Sequence, residues 1–215
     1  MLRSRSFLCV VVMGLVLGVA GLAQASVILA PTDPIYAVNA TPGSAISGLP
    51  VTAANNHPVG EAPAKVMDNN TGTKYLNFGK TNVGFIVVPA FGPSKLTSLQ
   101  MATANDSANR DPMTISIEGT AGPFSDYLGV FNTTWTPIYT GPSGIEVDPG
   151  RSTWGTELPI APSGFFSYYR VLVTTIRDAG TANSTQFSEF KLNGVPEPAA
   201  LSLLAFAGLL IRRRH

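Results

Sequence analysis

Cysteine is all but missing from this chain. Its 215 residues include one, Cys9, inside an apolar N-terminal run. The rest of the chain can form no disulfide, offer no thiol nucleophile and build no thiolate metal site. Histidine is nearly as scarce, with His57 and His215 the only two. A histidine-rich metal cluster is therefore excluded. A Ser-His-Asp triad would have to use His57, and no G-x-S-x-G elbow accompanies it. Glycoside hydrolysis needs two carboxylates about 5 to 9 Å apart in a cleft. The acids here are scattered over turns, so the chain reads as non-catalytic. No long window shows a helical period, and no internal repeat or low-complexity segment is visible.

What is present begins with two distinctive ends. Residues 1–25 read as a secretory signal peptide. Arg3 and Arg5 give a positive start, Phe7 to Leu22 is almost wholly apolar, and Ala23-Gln24-Ala25 is a small-x-small cleavage triplet. Signal peptidase would cut after Ala25 and leave Ser26 as the mature N-terminus. The alternative is an N-terminal membrane anchor. At the other end, Val195-Pro196-Glu197-Pro198 precedes 13 uncharged residues, Ala199 to Ile211, and then Arg212-Arg213-Arg214-His215. A helix of that length spans roughly 20 Å at about 1.5 Å per residue. A bilayer core is about 30 Å thick. The segment is short for a permanent anchor, but it can hold the chain in the inner membrane transiently. The arginines would stay on the cytoplasmic side.

The last 21 or so residues resemble the PEP-CTERM sorting signal of Gram-negative bacteria. The Pro196-Glu197-Pro198 triplet, the apolar helix and the basic Arg212, Arg213 and Arg214 stand in the family's order. The resemblance implies processing by an exosortase near the triplet. It also implies export to the cell surface or the extracellular matrix of an exopolysaccharide producer. A plain tail anchor is the competing reading.

Between the ends lie about 170 residues, the length of one domain. Without the five terminal arginines and Glu197, this middle holds nine basic and twelve acidic residues, a net charge of −3. It has no basic patch, which argues against a nucleic-acid partner. Residues 26–49 read as an irregular lead-in, with Pro, Ala, Gly, Ser and Asn abundant on to residue 63. Short strand-like runs follow. They are Tyr75–Phe78, Gly84–Val88, Leu96–Thr103, the alternating Met113–Glu118, Ser167–Thr175 and Gln186–Leu192. Trp135–Tyr139 and Thr156–Ile160 are weaker, each with a proline that suits an edge or an end. In Gln186–Leu192 the pattern puts Phe190 and Leu192 on one face and Glu189 and Lys191 on the other. Many short strands without β-α alternation predict an all-β antiparallel sandwich, flanked by an N-terminal signal helix and a short C-terminal apolar helix.

One constellation is more specific. Val66-Met67-Asp68-Asn69-Asn70 followed by Thr73-Lys74-Tyr75 resembles the opening of discoidin-type jelly rolls, the coagulation-factor type C or galactose-binding-like domains. Arg110-Asp111-Pro112 leading into the alternating strand agrees, as do Tyr168–Val171 and Gln186–Gly194 in the positions of the last two strands. The resemblance spans residues 50–194. It departs at Tyr75, where tryptophan is usual, and in the long irregular Trp135–Gly155 stretch. In related domains such a loop holds a structural calcium. The resemblance implies Asp68 as main carboxylate, Thr73 and Asn70 as oxygen ligands, and Glu189 as the distant carboxylate. Independently, Asp68, Asn69, Asn70 and Thr71 offer hard oxygens of the kind calcium prefers. A metal-free Asx turn capping the strand stays open as the alternative.

Arg110 and Asp111 read as a turn ion pair, with Pro112 setting the strand entry. Trp135, Trp154, Tyr127 and Phe131 lie in or near the irregular stretch. Aromatics on loops stack on the apolar C–H faces of sugars, or plug a core under a long loop. Trp154, among Gly, Ser and Thr, is the better platform, with Trp135 the second ligand-binding candidate. Two functions follow. One is a non-catalytic surface module for a glycan or exopolysaccharide. The other is a structural or adhesive matrix protein with no small ligand.

Overall fold

A computed structural model describes residues 24–44, 56–122 and 134–197. Residues 1–23, Tyr127, Phe131, and everything from Pro198 through Arg212, Arg213 and Arg214 lie outside the described residues, so the cleavage triplet is seen only from Gln24 on. Among the described residues no helix is long and apolar enough to cross a membrane.

Eleven strands appear among these residues: β1 (Ser26–Val27), β2 (Ile35–Asn39), β3 (Tyr75–Asn77), β4 (Val83–Val87), β5 (Ser94–Ala102), β6 (Pro112–Thr120), β7 (Thr136–Pro142), β8 (Leu158–Pro159), β9 (Tyr168–Ile176), β10 (Thr185–Phe187) and β11 (Glu189–Pro196). They form a five-stranded sheet in the order β2-β4-β9-β6-β7, a four-stranded sheet in the order β1-β11-β5-β8, and a two-stranded ribbon of β10 and β3. Every pairing is antiparallel. This is the two-sheet sandwich that the strand pattern predicts.

The core follows from the two-residue side-chain period of strands. Tyr169, Val171 and Val173 of β9, Phe85 and Val87 of β4, and Ile115 and Ile117 of β6 face Leu96, Leu99 and Met101 of β5 and Phe190 and Leu192 of β11 in one buried cluster. Its centre is aromatic. Phe187 meets Tyr75 edge-on at 5.9 Å, and Phe190 meets Phe85 at 5.7 Å. Such pairs add about 0.5–1.5 kcal/mol beyond the area they bury. Gly84 is required where β4 crosses β9, because a Cβ there would lie 1.9 Å from the Val171 carbonyl oxygen.

Three expectations need correction. The irregular lead-in supplies two edge strands: β1 pairs with β11 and β2 with β4. The short apolar run Ile35-Tyr36-Ala37-Val38 is enough for β2 despite its Pro- and Gly-rich surroundings. The single strand expected over Gln186–Leu192 is two strands in different sheets, broken at Ser188. Finally, the strand expected to start at Trp135 starts one residue later, because Trp135 itself is turned into a second apolar cluster with Val38, Ile86 and Leu172.

Candidate functional site

The loop that leads into β3, the ribbon's first strand, is built by local rules. Pro63 opens a 3-10 turn, Pro63–Met67, at the position where its missing N–H costs nothing. Asp68 caps that turn, and Asn69 takes a left-handed conformation at φ 61°, which asparagine tolerates better than most residues. The chain thereby reverses so that Thr73 returns to Asp68. Thr73 Oγ1 lies 2.8 Å from Asp68 Oδ2 and 3.0 Å from the Asn70 carbonyl oxygen. The Asn70 N–H lies 3.1 Å from Asp68 Oδ1 and 2.8 Å from Glu189 Oε1. Lys65 Nζ reaches Asp68 Oδ2 at 3.2 Å.

All four expected metal-site residues, Asp68, Asn70, Thr73 and Glu189, thus meet in one cluster across 119 residues of sequence. Glu189 starts β11 on the outer face of the four-stranded sheet. It is not solvated as the strand pattern suggests, being only 2% exposed beneath the loop. Burial pushes its carboxyl up to about 7, and the Asp68 carboxylate adds to that, against the Asn70 N–H. For Asp68, burial raises the carboxyl, but hydrogen bonds from Thr73, Glu189 and Lys65 outweigh it and hold it below the ordinary value. A proton is one species that can neutralise such a pair of neighbouring carboxyls. A divalent hard cation is the other species that can neutralise such a pair. The donors fit one, being carboxylate, carbonyl and hydroxyl oxygens. Among the described residues no three His, Cys, Asp or Glu side chains gather at one point, so a cation would rely on two carboxylates plus neutral oxygens.

Beside this cluster runs a network of ion pairs. Lys74 is nearly buried, 2.7 Å from Asp106 Oδ1 and 3.8 Å from Glu61. Gln186 Nε2 donates to Asp106 Oδ1 at 2.7 Å. Asp111 is fully buried, and Arg151 grips both its oxygens, at 2.8 and 2.7 Å. Arg177 adds a contact at 3.4 Å. The expected Arg110–Asp111 turn pair is therefore not what forms. Asp111 turns inward toward the loop after β7, while Arg110 reaches Gln186 Oε1 at 3.3 Å.

The two tryptophans part company. Trp135 is 3% exposed, so it is a core plug and not a surface platform. Arg170 lies 4.8 Å from its ring centroid. Trp154 is half-buried on the outer face of the four-stranded sheet, with Lys191 Nζ 3.9 Å from its ring centroid.

No protein-family profile matches the sequence, and no curated protein does. Solved structures do resemble it. A family 32 carbohydrate-binding module from Clostridium perfringens, in complex with galactose, aligns with a TM-score of 0.51 at 8% identity, over 79% of this chain and 99% of that one. An F5/8 type C domain from Bacteroides fragilis aligns with a TM-score of 0.52 at 11% identity, over 80% and 98%. The fold is a galactose-binding-like jelly roll. A further C. perfringens family 32 module, from a family 31 glycoside hydrolase, aligns at 0.50 and 12% identity, over 65% and 86%.

Within this jelly roll, sequence reasoning missed Arg151, Arg177 and Arg170. The first two sit in turns where an exposed arginine is unremarkable. Arg170 carried a visible signal, since its strand is otherwise apolar, Tyr169-Arg170-Val171-Leu172-Val173. A charge in such a run marks a paired buried group. Its partner is Glu118, directly across the ladder on β6 and equally buried.

Proposed function

We propose that this chain is an exported surface or matrix protein of a Gram-negative bacterium, whose jelly roll is a non-catalytic module for a glycan or exopolysaccharide. The observation that carries this reading is the likeness in fold, over about four-fifths of the chain, to a module held in complex with galactose. Trp154 supports it, as a half-exposed aromatic fixed on a sheet face. Calorimetric titration with galactose and N-acetylgalactosamine tests it, alongside exopolysaccharide from the host. Saturable heat with any of them is expected. Silence with all three would favour an adhesive matrix protein without a small ligand. One feature favours that second reading: Asp111, Arg151, Arg177, Lys74 and Asp106 spend their charges on one another.

Asp68 and Glu189, with Asn70 and Thr73, are the residues that would hold calcium. A bound cation would supply a cross-link between the loop and β11. In that state Asp68 and Glu189 would both be ionised, and the loop would be tied to the four-stranded sheet at the residue where β11 begins.

Export rests on the two ends. Signal peptidase would act after Ala25, and an exosortase at Pro196-Glu197-Pro198, with the chain held transiently in the inner membrane. Replacing the triplet with alanines, or deleting Arg212–His215, should block C-terminal processing in the host. A mature mass identical to that of the unaltered protein would refute the sorting reading.

A further inference from the structure

Both tails of the chain leave the sandwich at one pole. β11 runs beside β5 from the pair Glu189 and Ala102 to the pair Pro196 and Ser94, and β1 sets Ser26 opposite Gly194. Because β1 is antiparallel to β11, the chain before Ser26 heads for the pole where β11 finishes. There the Glu197 N–H donates to the Pro93 carbonyl at 2.9 Å. The uncharged run starts at Ala199, so at most about 7 Å of extended chain separates it from Glu197. The other apolar run stops at Leu22, close before Ser26. Neither apolar segment is set off from the domain by a spacer.

Three loops of the described residues lie at this pole: 30–34, 88–93 and 161–166. The Val88 N–H donates to the Pro34 carbonyl at 2.9 Å, and Ser94 and Phe166 exchange backbone bonds at 2.9 and 3.0 Å. The surface they present is apolar. Pro31, Pro34, Ala90, Phe91, Pro93 and Pro162 are all exposed. Asp33 is the one charged residue in these loops, and it is buried. Its two oxygens accept from the Ala30 and Ala90 N–H groups at 2.8 and 3.0 Å. The prolines bring no N–H that would need a partner away from water. Lys95 and Glu197 stand at the rim with opposite charges, so the pole is close to neutral. The opposite pole holds the ion-pair network of Lys74, Asp106, Asp111, Arg151 and Arg177.

Resting on the reading of the tail as membrane-inserted, we propose that this uncharged pole is a lipid-facing surface. Phe91 and the proline loops rest in the interfacial layer of the inner membrane while the chain is anchored there. An apolar surface with an aromatic side chain suits that layer. The short connection at Glu197 holds the pole against it. Docked this way, the domain turns its charged pole and the Asp68 loop away from the bilayer.

Cys9 is the only cysteine, so a single label can be placed cleanly. The test uses the full chain with Cys9→Ser and either Ala90→Cys or, at the opposite pole, Val147→Cys, a position 87% exposed. Each is labelled with an environment-sensitive fluorophore and reconstituted into vesicles of phosphatidylethanolamine and phosphatidylglycerol. Emission from position 90 should shift to the blue and be quenched by brominated lipid chains. The label at 147 should stay open to aqueous iodide. Flexible glycine-serine spacers inserted before Ser26 and after Glu197 separate docking from tethering. The blue shift should survive the spacers, and adding Phe91→Asp to the spacer chain should abolish it. Pro162→Asp serves the same purpose if the Phe91 variant fails to fold. A label at 90 as open to iodide as the one at 147, on chains that float with the vesicles, would overturn the lipid-facing pole and leave the tail reading intact. Loss of the shift on adding the spacers would do the same, reducing the contact to a short tether. Chains that do not float with the vesicles at all would overturn the tail reading along with the pole.

Discussion

Each sheet of this sandwich carries one tryptophan–cation pair on its outer face, and the two pairs have opposite surroundings. On the five-stranded sheet, Arg170 and Trp135 are buried with Val38, Ile86 and Leu172. Arg170 Nε donates to Glu118 Oε2 at 2.5 Å, and the Gly43 N–H reaches the other Glu118 oxygen. On the four-stranded sheet, Lys191 and Trp154 stand among half-exposed polar residues. The side-chain chemistry is similar, but the environments assign different work. The buried pair fixes how the segment that follows β2 covers this sheet, since Arg170 Nη2 also donates to the Ser44 carbonyl at 3.1 Å. The open pair holds an aromatic ring where a ligand can reach it.

The largest effect that separates them is on stability. Glu118→Ala leaves Arg170 charged and unpaired in an apolar site, and should cost about 3–5 kcal/mol. Converting both residues to apolar ones of similar size should recover most of that loss. Burial already holds the Arg170 guanidinium below its usual value, against the pull of Glu118. Its Nη1 has no hydrogen-bond partner, so the apolar replacement also removes an unmet demand. Denaturant unfolding of the single and double variants measures this directly. A Glu118→Ala protein as stable as its parent would contradict the account of the buried face.

The tryptophans should differ in the same direction. Trp135→Ala should cost about 3–5 kcal/mol, as for other buried aromatics. Trp154→Ala should cost less than about 1 kcal/mol, because the ring is half-exposed and the bonds that pin it come from backbone. Equal losses would erase the contrast.

The carboxyl pair yields smaller effects. Calcium at about 100 times its dissociation constant should stabilise the protein by roughly 2.7 kcal/mol, and Asp68→Ala or Glu189→Ala should remove the gain. With a chelator, the pH dependence has a definite sign. The folded Glu189 carboxyl sits at about 7, above its ordinary 4.5. The folded state therefore binds the extra proton between those values, and stability should fall as pH rises across that window. Glu189→Gln should flatten this slope. A slope that survives the substitution would assign the proton elsewhere.

Much of the fold was legible in the sequence, and the reason lies in particular strands. Val83–Val87 and Tyr168–Ile176 are nearly continuous apolar runs, and Met113–Glu118 alternates. Those patterns depend only on local period. The end of the domain was harder. Phe187 and Phe190 are three residues apart and both wholly buried. One straight strand cannot turn both to a single core, and this was the available sign that the chain changes sheets at Ser188. The carboxyl cluster was readable because Asp68, Asn70 and Thr73 lie in one local turn. The partners of Asp111 were not, because Arg151 and Arg177 reach it from 40 and 66 residues away. Trp135 misled because its irregular setting resembles an exposed loop, while its burial depends on β2, β4 and β9.

The glycan-binding claim is tested most directly by affinity electrophoresis of the full chain through gels cast with exopolysaccharide from its own host. The account predicts a mobility that falls as polysaccharide is added, with the retardation largely lost in Trp154→Ala. Mobility unchanged at every polysaccharide concentration would contradict it.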